Sequence, residues 1–202
     1  MPSRLLFLPG ASGNSRFWQP VSDLLRHEGQ RIHYGWPGFG LTPPILKIGS
    51  INDLVVKVVA DIDRPTALIA QSMGGVIAIR AALEKPNLVT HLVLTATSGG
   101  IDISDLGAQD WREVFHVENS TSPQWFVDYK EDLTEQLKKI KIPVLLLWGD
   151  ADPLSPVAVG NRISSLLLRP ELHVIPGGDH RLAKDFAHIV TPLIDQYLAR
   201  ST

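Results

Sequence analysis

The sequence predicts an α/β fold built on a mostly parallel, doubly wound sheet of about six strands. Apolar runs of strand length recur six times along the chain, and segments of helical period lie between them. Most of the runs are continuous rather than alternating, the pattern of strands covered on both faces. The 202 residues, 44% of them hydrophobic, are enough to bury one sizeable core, and no internal repeat or linker composition divides them. The chain therefore reads as a single domain over 1–202.

The strand runs are Leu5–Leu8, Arg31–Tyr34, Ala67–Ala70, Leu92–Thr95, Val144–Leu147 and Leu172–Ile175. Trp18, Val21, Leu24 and Leu25 share one helical face after the first run. Ile51, Leu54, Val55, Val58, Val59 and Ile62 form a second stripe, and Ser50 stands before them as an N-cap. Val76–Leu83 reads as a third, more evenly apolar helix, Val157–Leu167 as a fourth, and Phe186–Leu198 as a fifth. This alternation of strand and helix calls for right-handed crossovers. One interval, 98–141, breaks the rhythm. It holds no strand candidate, carries Trp111, Phe115, Trp125, Phe126 and Tyr129, and has nine acidic against five basic residues over 101–141. An insertion of this length reads as a short lid, the alternative being a crossover with one extra helix.

Composition excludes several classes of function. With 19 basic and 21 acidic residues the formal net charge is −2, which gives no general attraction to nucleic acid or to an anionic membrane. The absence of cysteine removes disulfides, thiolate metal sites and cysteine nucleophiles together, and fits a reducing compartment. No run approaches about 18 consecutive apolar residues and no secretory signal pattern follows Met1, so the expected location is the cytoplasm.

In open α/β sheets ligands bind at the carboxyl ends of the strands. After Ala67–Ala70 comes Gln71-Ser72-Met73-Gly74-Gly75, leading into a helix. A serine on a strained strand-to-helix elbow needs small residues two positions before and after it, here Ala70 and Gly74. The following backbone N–H groups then face a developing oxyanion. The alternative role for Ser72 is a plain N-cap. After Val144–Leu147 stand Asp150 and Asp152, able to orient a histidine, bind a cation or cap the next helix. Two carboxylates without further ligands at calcium-loop spacing make a poor metal site. After Leu172–Ile175 a glycine-rich loop carries His180. His27, His33, His91, His173 and His188 lie in strand or helix runs and read as structural, whereas His116 falls in the lid interval. Pro9–Gly13 could form a phosphate nest, but it lacks the Gly-Lys-Ser/Thr ending and does not complete a dinucleotide fingerprint.

The chain resembles an α/β-hydrolase, with a short helical lid at 98–141. Ser72, Asp152 and His180 follow that family's triad order, and Gly149-Asp150-Ala151-Asp152-Pro153-Leu154-Ser155-Pro156 matches its acid turn with Asp152 in the acid position. Leu8-Pro9-Gly10-Ala11-Ser12-Gly13 is similar to the oxyanion loop, with Pro9 in place of the frequent histidine, and Trp36-Pro37-Gly38-Phe39-Gly40 is similar to the turn after the second core strand. The resemblance implies Ser72 as nucleophile, His180 as general base, Asp152 as its orienting acid, and the N–H groups of Ala11 and Met73 as oxyanion donors. The expected activity is hydrolysis of a carboxylic ester or thioester of a small, apolar acyl substrate, without metal or organic cofactor. Lactone or C–C bond hydrolysis, a lyase or synthase use of the triad, and a catalytically inactive binding module are the alternatives. Trp18, Trp36, Trp111 and Trp125 are candidates for lining the substrate pocket or for the core. The sequence carries no reading of oligomeric state.

Overall fold

The computed structural model describes residues 1–112, 115 and 123–200. The strands are β1 (Arg4–Leu8), β2 (Gln30–His33), β3 (Thr66–Gln71), β4 (Val89–Thr95), β5 (Val144–Gly149) and β6 (Pro170–Ile175). All are parallel and form one sheet in the order β2-β1-β3-β4-β5-β6. The order reverses between β1 and β3. From this point the chain winds outward in both directions, which opens a crevice at the carboxyl ends of these two strands.

The described helices are α1 (Gln19–Leu24), α2 (Ile51–Ala60), α3 (Met73–Glu84), α4 (Gln124–Val127), α5 (Thr134–Leu137), α6 (Val157–Leu166), α7 (Leu182–Asp185) and α8 (Ala187–Leu198). Side chains of a strand point alternately to the two faces, so each central strand feeds two cores. Leu6, Leu8, Leu68, Ala70, Leu92, Leu94, Leu146 and Trp148 join the α2, α3 and α6 side. Leu5, Phe7, Ala67, Ile69, Val93, Leu145 and Leu147 join the α1, α7 and α8 side. The edge strands β2 and β6 are half-exposed, which is why their runs are more polar.

The N-cap of α2 forms as its sequence predicts. Ser50 accepts from the Asp53 N–H at 3.2 Å, and the Asp53 carboxylate accepts in return from Ser50 Oγ and the Gly49 N–H, a reciprocal cap of the capping-box kind. One apolar position departs from expectation. Helix α1 ends at Leu24, which is 52% exposed, whereas Trp18, Val21 and Leu25 are buried. The final helix tolerates Pro192 inside it, and Tyr197 near its end donates its hydroxyl to the Pro143 carbonyl at 2.6 Å and accepts from the Leu92 N–H at 2.9 Å. Those bonds fasten the last helix to the bases of β4 and β5.

Between β4 and β5 no strand occurs among the described residues. Phe126 is buried there with Trp111 stacked on it at 4.9 Å between ring centroids, and both Trp125 and Phe126 meet the ring of Phe39 edge-on. Leu133 N–H donates to the Gly100 carbonyl, and Arg80 of α3 lies 3.7 Å from the Glu131 carboxylate. His116 lies outside the described residues. No described helix is long and apolar enough to cross a membrane.

Candidate active site

Ser72 stands between the end of β3 and the start of α3 with φ 52° and ψ −122°, a conformation costing about 1–3 kcal/mol for a residue with a side chain. The surroundings hold it there. Its N–H donates to the Thr95 carbonyl at 3.1 Å, and its own carbonyl accepts from Thr97 Oγ1 at 2.7 Å and from the Gly75 N–H at 2.9 Å. The small residue two positions on has a physical cause. A Cβ on Gly74 would stand 2.5 Å from the Pro9 carbonyl oxygen and 2.6 Å from that of Leu8, inside any tolerable contact. Ser72 is positioned to start α3, yet its hydroxyl makes no cap hydrogen bond. That hydroxyl faces His180 Nε2 at 3.1 Å instead.

His180 Nδ1 is 2.9 Å from Asp152 Oδ2. The other oxygen of that carboxylate accepts from the N–H groups of Leu154 at 2.8 Å and Ser155 at 3.1 Å. The Asp152 side chain is fully buried, so three donors replace its lost hydration. A carboxylate accepting at Nδ1 keeps the ring proton on that nitrogen and leaves Nε2 free to accept from Ser72 Oγ. A quarter of the His180 side chain is exposed and Ser72 is half-buried, so a ligand can reach both.

The loop that carries His180 is tied to the acid turn. Ala151 N–H donates to the Gly178 carbonyl at 3.0 Å, and Gly177 N–H donates to Asp150 Oδ1 at 2.7 Å. Asp150 is exposed and serves this turn, while His180 Nδ1 is paired with Asp152. Among the described residues the N–H groups of Ala11 and Met73 donate no hydrogen bond. Ala11 is half-buried and follows Gly10, which lies against the Ser72 side chain.

The four candidate tryptophans divide, and two take the core alternative. Trp18 and Trp36 are 1% and 0% exposed and belong to the two cores on opposite faces of the sheet, not to a pocket lining. Their indole N–H groups donate to consecutive carbonyls, Trp18 to Leu8 at 3.0 Å and Trp36 to Pro9 at 2.8 Å. The start of the Pro9–Gly13 loop is thus held from both sides. A buried indole must pair its N–H, and here the partner is the strand end itself. Trp111 and Trp125 remain half-buried in the aromatic cluster around Phe126, and no described ring contact or hydrogen bond joins either to Ser72, His180 or Asp152. Two surface cavities of about 320 and 330 Å³ lie between Gly38–Pro44 and Pro123 and between Asp102–Asp105 and Arg162, outside the serine and histidine.

The histidines of the strands are structural as expected. His91 is wholly buried, with Nε2 on the Arg200 carbonyl and Nδ1 beside Thr90 Oγ1, and burial lowers its pKa to about 4. His33 stacks on Phe7 and meets Ser22 Oγ. Gln71 and Thr97 were not singled out by the sequence, although both touch the elbow or its neighbours. A polar residue closing a wholly buried strand was the signal for Gln71.

A model of the alpha/beta hydrolase family matches residues 5–135. The chain belongs to this family. It is a hydrolase by that kinship and by its relatives. It is 30% identical to a pimeloyl-[acyl-carrier protein] methyl ester esterase of Legionella pneumophila (strain Paris), over 76% of this chain and 77% of that one. It is 26% identical to a 2-hydroxy-6-oxononadienedioate/2-hydroxy-6-oxononatrienedioate hydrolase of Burkholderia vietnamiensis, over 95% of this chain and 84% of that one. Among solved structures, a putative lipase from Acinetobacter baumannii superposes with a TM-score of 0.80 at 21% identity, covering 98% of this chain and 83% of that one, a likeness of fold.

Proposed function

We propose that this hydrolase is a serine esterase acting on carboxylic esters of small apolar acyl groups through Ser72, His180 and Asp152. The observation that carries the reading is the unbroken line of hydrogen bonds from Ser72 Oγ through both ring nitrogens of His180 to the buried Asp152 carboxylate, 3.1 Å and 2.9 Å long. Ser72 Oγ attacks the ester carbonyl carbon while His180 Nε2 takes its proton. Asp152 stabilises the imidazolium that results. The N–H groups of Ala11 and Met73 receive the oxyanion, and the positive end of α3 adds to the field there. His180 then protonates the leaving alkoxide, the alcohol departs, and the acyl group stays on Ser72. Water, deprotonated by His180, attacks the acyl-enzyme, the acid leaves, and the proton returns to Ser72. Every proton is handled by one imidazole.

The esterase relative at 30% identity supports an ester as the bond cleaved. The dioate-hydrolase relative supports a second reading, in which the substrate is a dicarboxylate. The net charge of −4 over 101–141 weighs against it, because a doubly anionic substrate would meet repulsion from that interval. The test is a panel of short p-nitrophenyl esters, a thioester, a lactone and a dienedioate, run on wild type and on Ser72→Ala. The expected result is ester turnover above all others, with covalent labelling of Ser72 by a fluorophosphonate. Full esterase activity in Ser72→Ala overturns the mechanism, and preferred turnover of the dienedioate overturns the substrate class.

A further inference from the structure

Gln71 precedes Ser72 and closes β3, and at 5% exposure it is one of few buried polar side chains in the sheet. It caps no helix. Its Nε2 donates to the backbone carbonyl of His180 at 3.1 Å, across 109 residues of sequence. On the other side its Oε1 lies against the oxyanion loop, where a Cβ added to Gly10 would stand 2.4 Å away. One carboxamide therefore touches the loop bearing Ala11, the elbow bearing Ser72 and the loop bearing His180.

The anchoring of the His180 loop shows why this matters. Its first half is bonded to the acid turn through Gly177 and Gly178. Its second half bonds within itself, Arg181 N–H to Asp179 Oδ1 and Leu182 N–H to the Asp179 carbonyl. Among the described residues, the bond from Gln71 is what ties the His180 backbone to the strand that carries the nucleophile.

We propose that Gln71 is a positioning residue, holding the His180 backbone at the distance that sets the imidazole against Ser72 Oγ; this rests on the serine-esterase reading above. Without its donor the His180 carbonyl is left with no partner on the β3 side, and the imidazole keeps Asp152 but wanders relative to Ser72. Misplacement of a catalytic group by about 1 Å can cost on the order of 100-fold in rate.

The experiment is a double-mutant cycle on p-nitrophenyl acetate hydrolysis with Gln71→Met, His180→Ala and the double variant, each checked by circular dichroism and thermal melting. Gln71→Met is expected to lower kcat by about 10- to 100-fold with KM within about twofold. The double variant is expected to be no slower than His180→Ala alone, because a residue acting through His180 has nothing left to position. Gln71→Leu likewise removes the donor and adds no group that can donate or carry charge, and it should show the same loss, so a poorly folded Gln71→Met does not decide the matter. Wild-type kcat in both folded single variants overturns the proposal, as does a loss repeated in full in the His180→Ala background. Wild-type activity of His180→Ala would instead overturn the triad beneath it.

Discussion

The rim of the sheet around Ser72 and the 98–141 interval are held by different kinds of force. At the rim, backbone N–H groups supply the bonds: Ser72 N–H to the Thr95 carbonyl, Ala151 N–H to the Gly178 carbonyl, Leu154 and Ser155 N–H to the Asp152 carboxylate. In the interval most of the described backbone bonds close local turns, such as Phe126 N–H to the Pro123 carbonyl, and side chains carry much of the packing, as rings around Phe126 and ion pairs such as Arg80–Glu131. Backbone hydrogen bonds between close-packed segments fix positions to tenths of an ångström, whereas ring contacts and exposed ion pairs can be exchanged at small cost. The lesson is a difference in how replaceable the supports are: the rim around Ser72 is fixed by backbone groups that every residue carries, and the interval by side chains that substitution can change.

The contrast breaks most visibly at Ser72. Ser72→Ala should lower kcat on p-nitrophenyl acetate by about 10,000-fold or more while the melting temperature stays within a few degrees. Next comes the packing that carries the His180 loop. A Cβ on Gly149 would stand 2.0 Å from the Gly178 carbonyl oxygen, backbone against backbone. Gly149→Ala should cost about 2–4 kcal/mol in urea unfolding and lower kcat with it, since the displaced loop bears His180. An unchanged urea midpoint would mean that the loop yields freely, against the rigid rim.

Acid sharpens the same contrast on the strand beneath the rim. His91, in β4, has a folded pKa of about 4 against an ordinary 6.5, because burial disfavours its charged form. Between those values the unfolded chain takes up a proton that the folded chain refuses, so stability falls as pH drops through this window and is regained as pH rises. The full loss amounts to about 3 kcal/mol. Urea melts at pH 7 and pH 4.5 should diverge less in His91→Gln than in wild type; parallel curves would remove His91 from the account. The smallest effects belong to the interval. Arg80→Gln should cost under about 1 kcal/mol. Trp125→Ala should raise KM for bulky acyl esters while kcat on the acetate ester stays within about twofold, and a large kcat loss there would erase the distinction between the regions.

Much of this was legible because it is local. Continuous apolar runs mark buried parallel strands, and Ser50 with Asp53 writes its cap within four residues. The meeting of Ser72, Asp152 and His180 was legible through topology, since each follows a strand whose carboxyl end faces the same crevice. What escaped was non-local. Trp18 and Trp36 resemble rim aromatics in sequence, and only the packed sheet shows that their indoles turn inward to the carbonyls of Leu8 and Pro9. Leu24 fits the apolar face of α1, yet the helix stops there and the core is served by Leu25. Gln71 reads as an ordinary strand residue until the loop from the other end of the chain arrives beside it.

The hydrogen bond between Gln71 and His180 spans more than half the chain, and Ala11, Ser72, Asp152 and His180 arrive from four separate stretches of it. Such long-range closure belongs to the late, slow part of folding. A stretch ending at residue 150 contains Ala11 and Ser72 but neither Asp152 nor His180. Under the serine-esterase reading, Ser72 therefore has no base beside it until the stretch bearing Asp152 and His180 has docked on the sheet, so hydrolytic competence would be gained only with that docking.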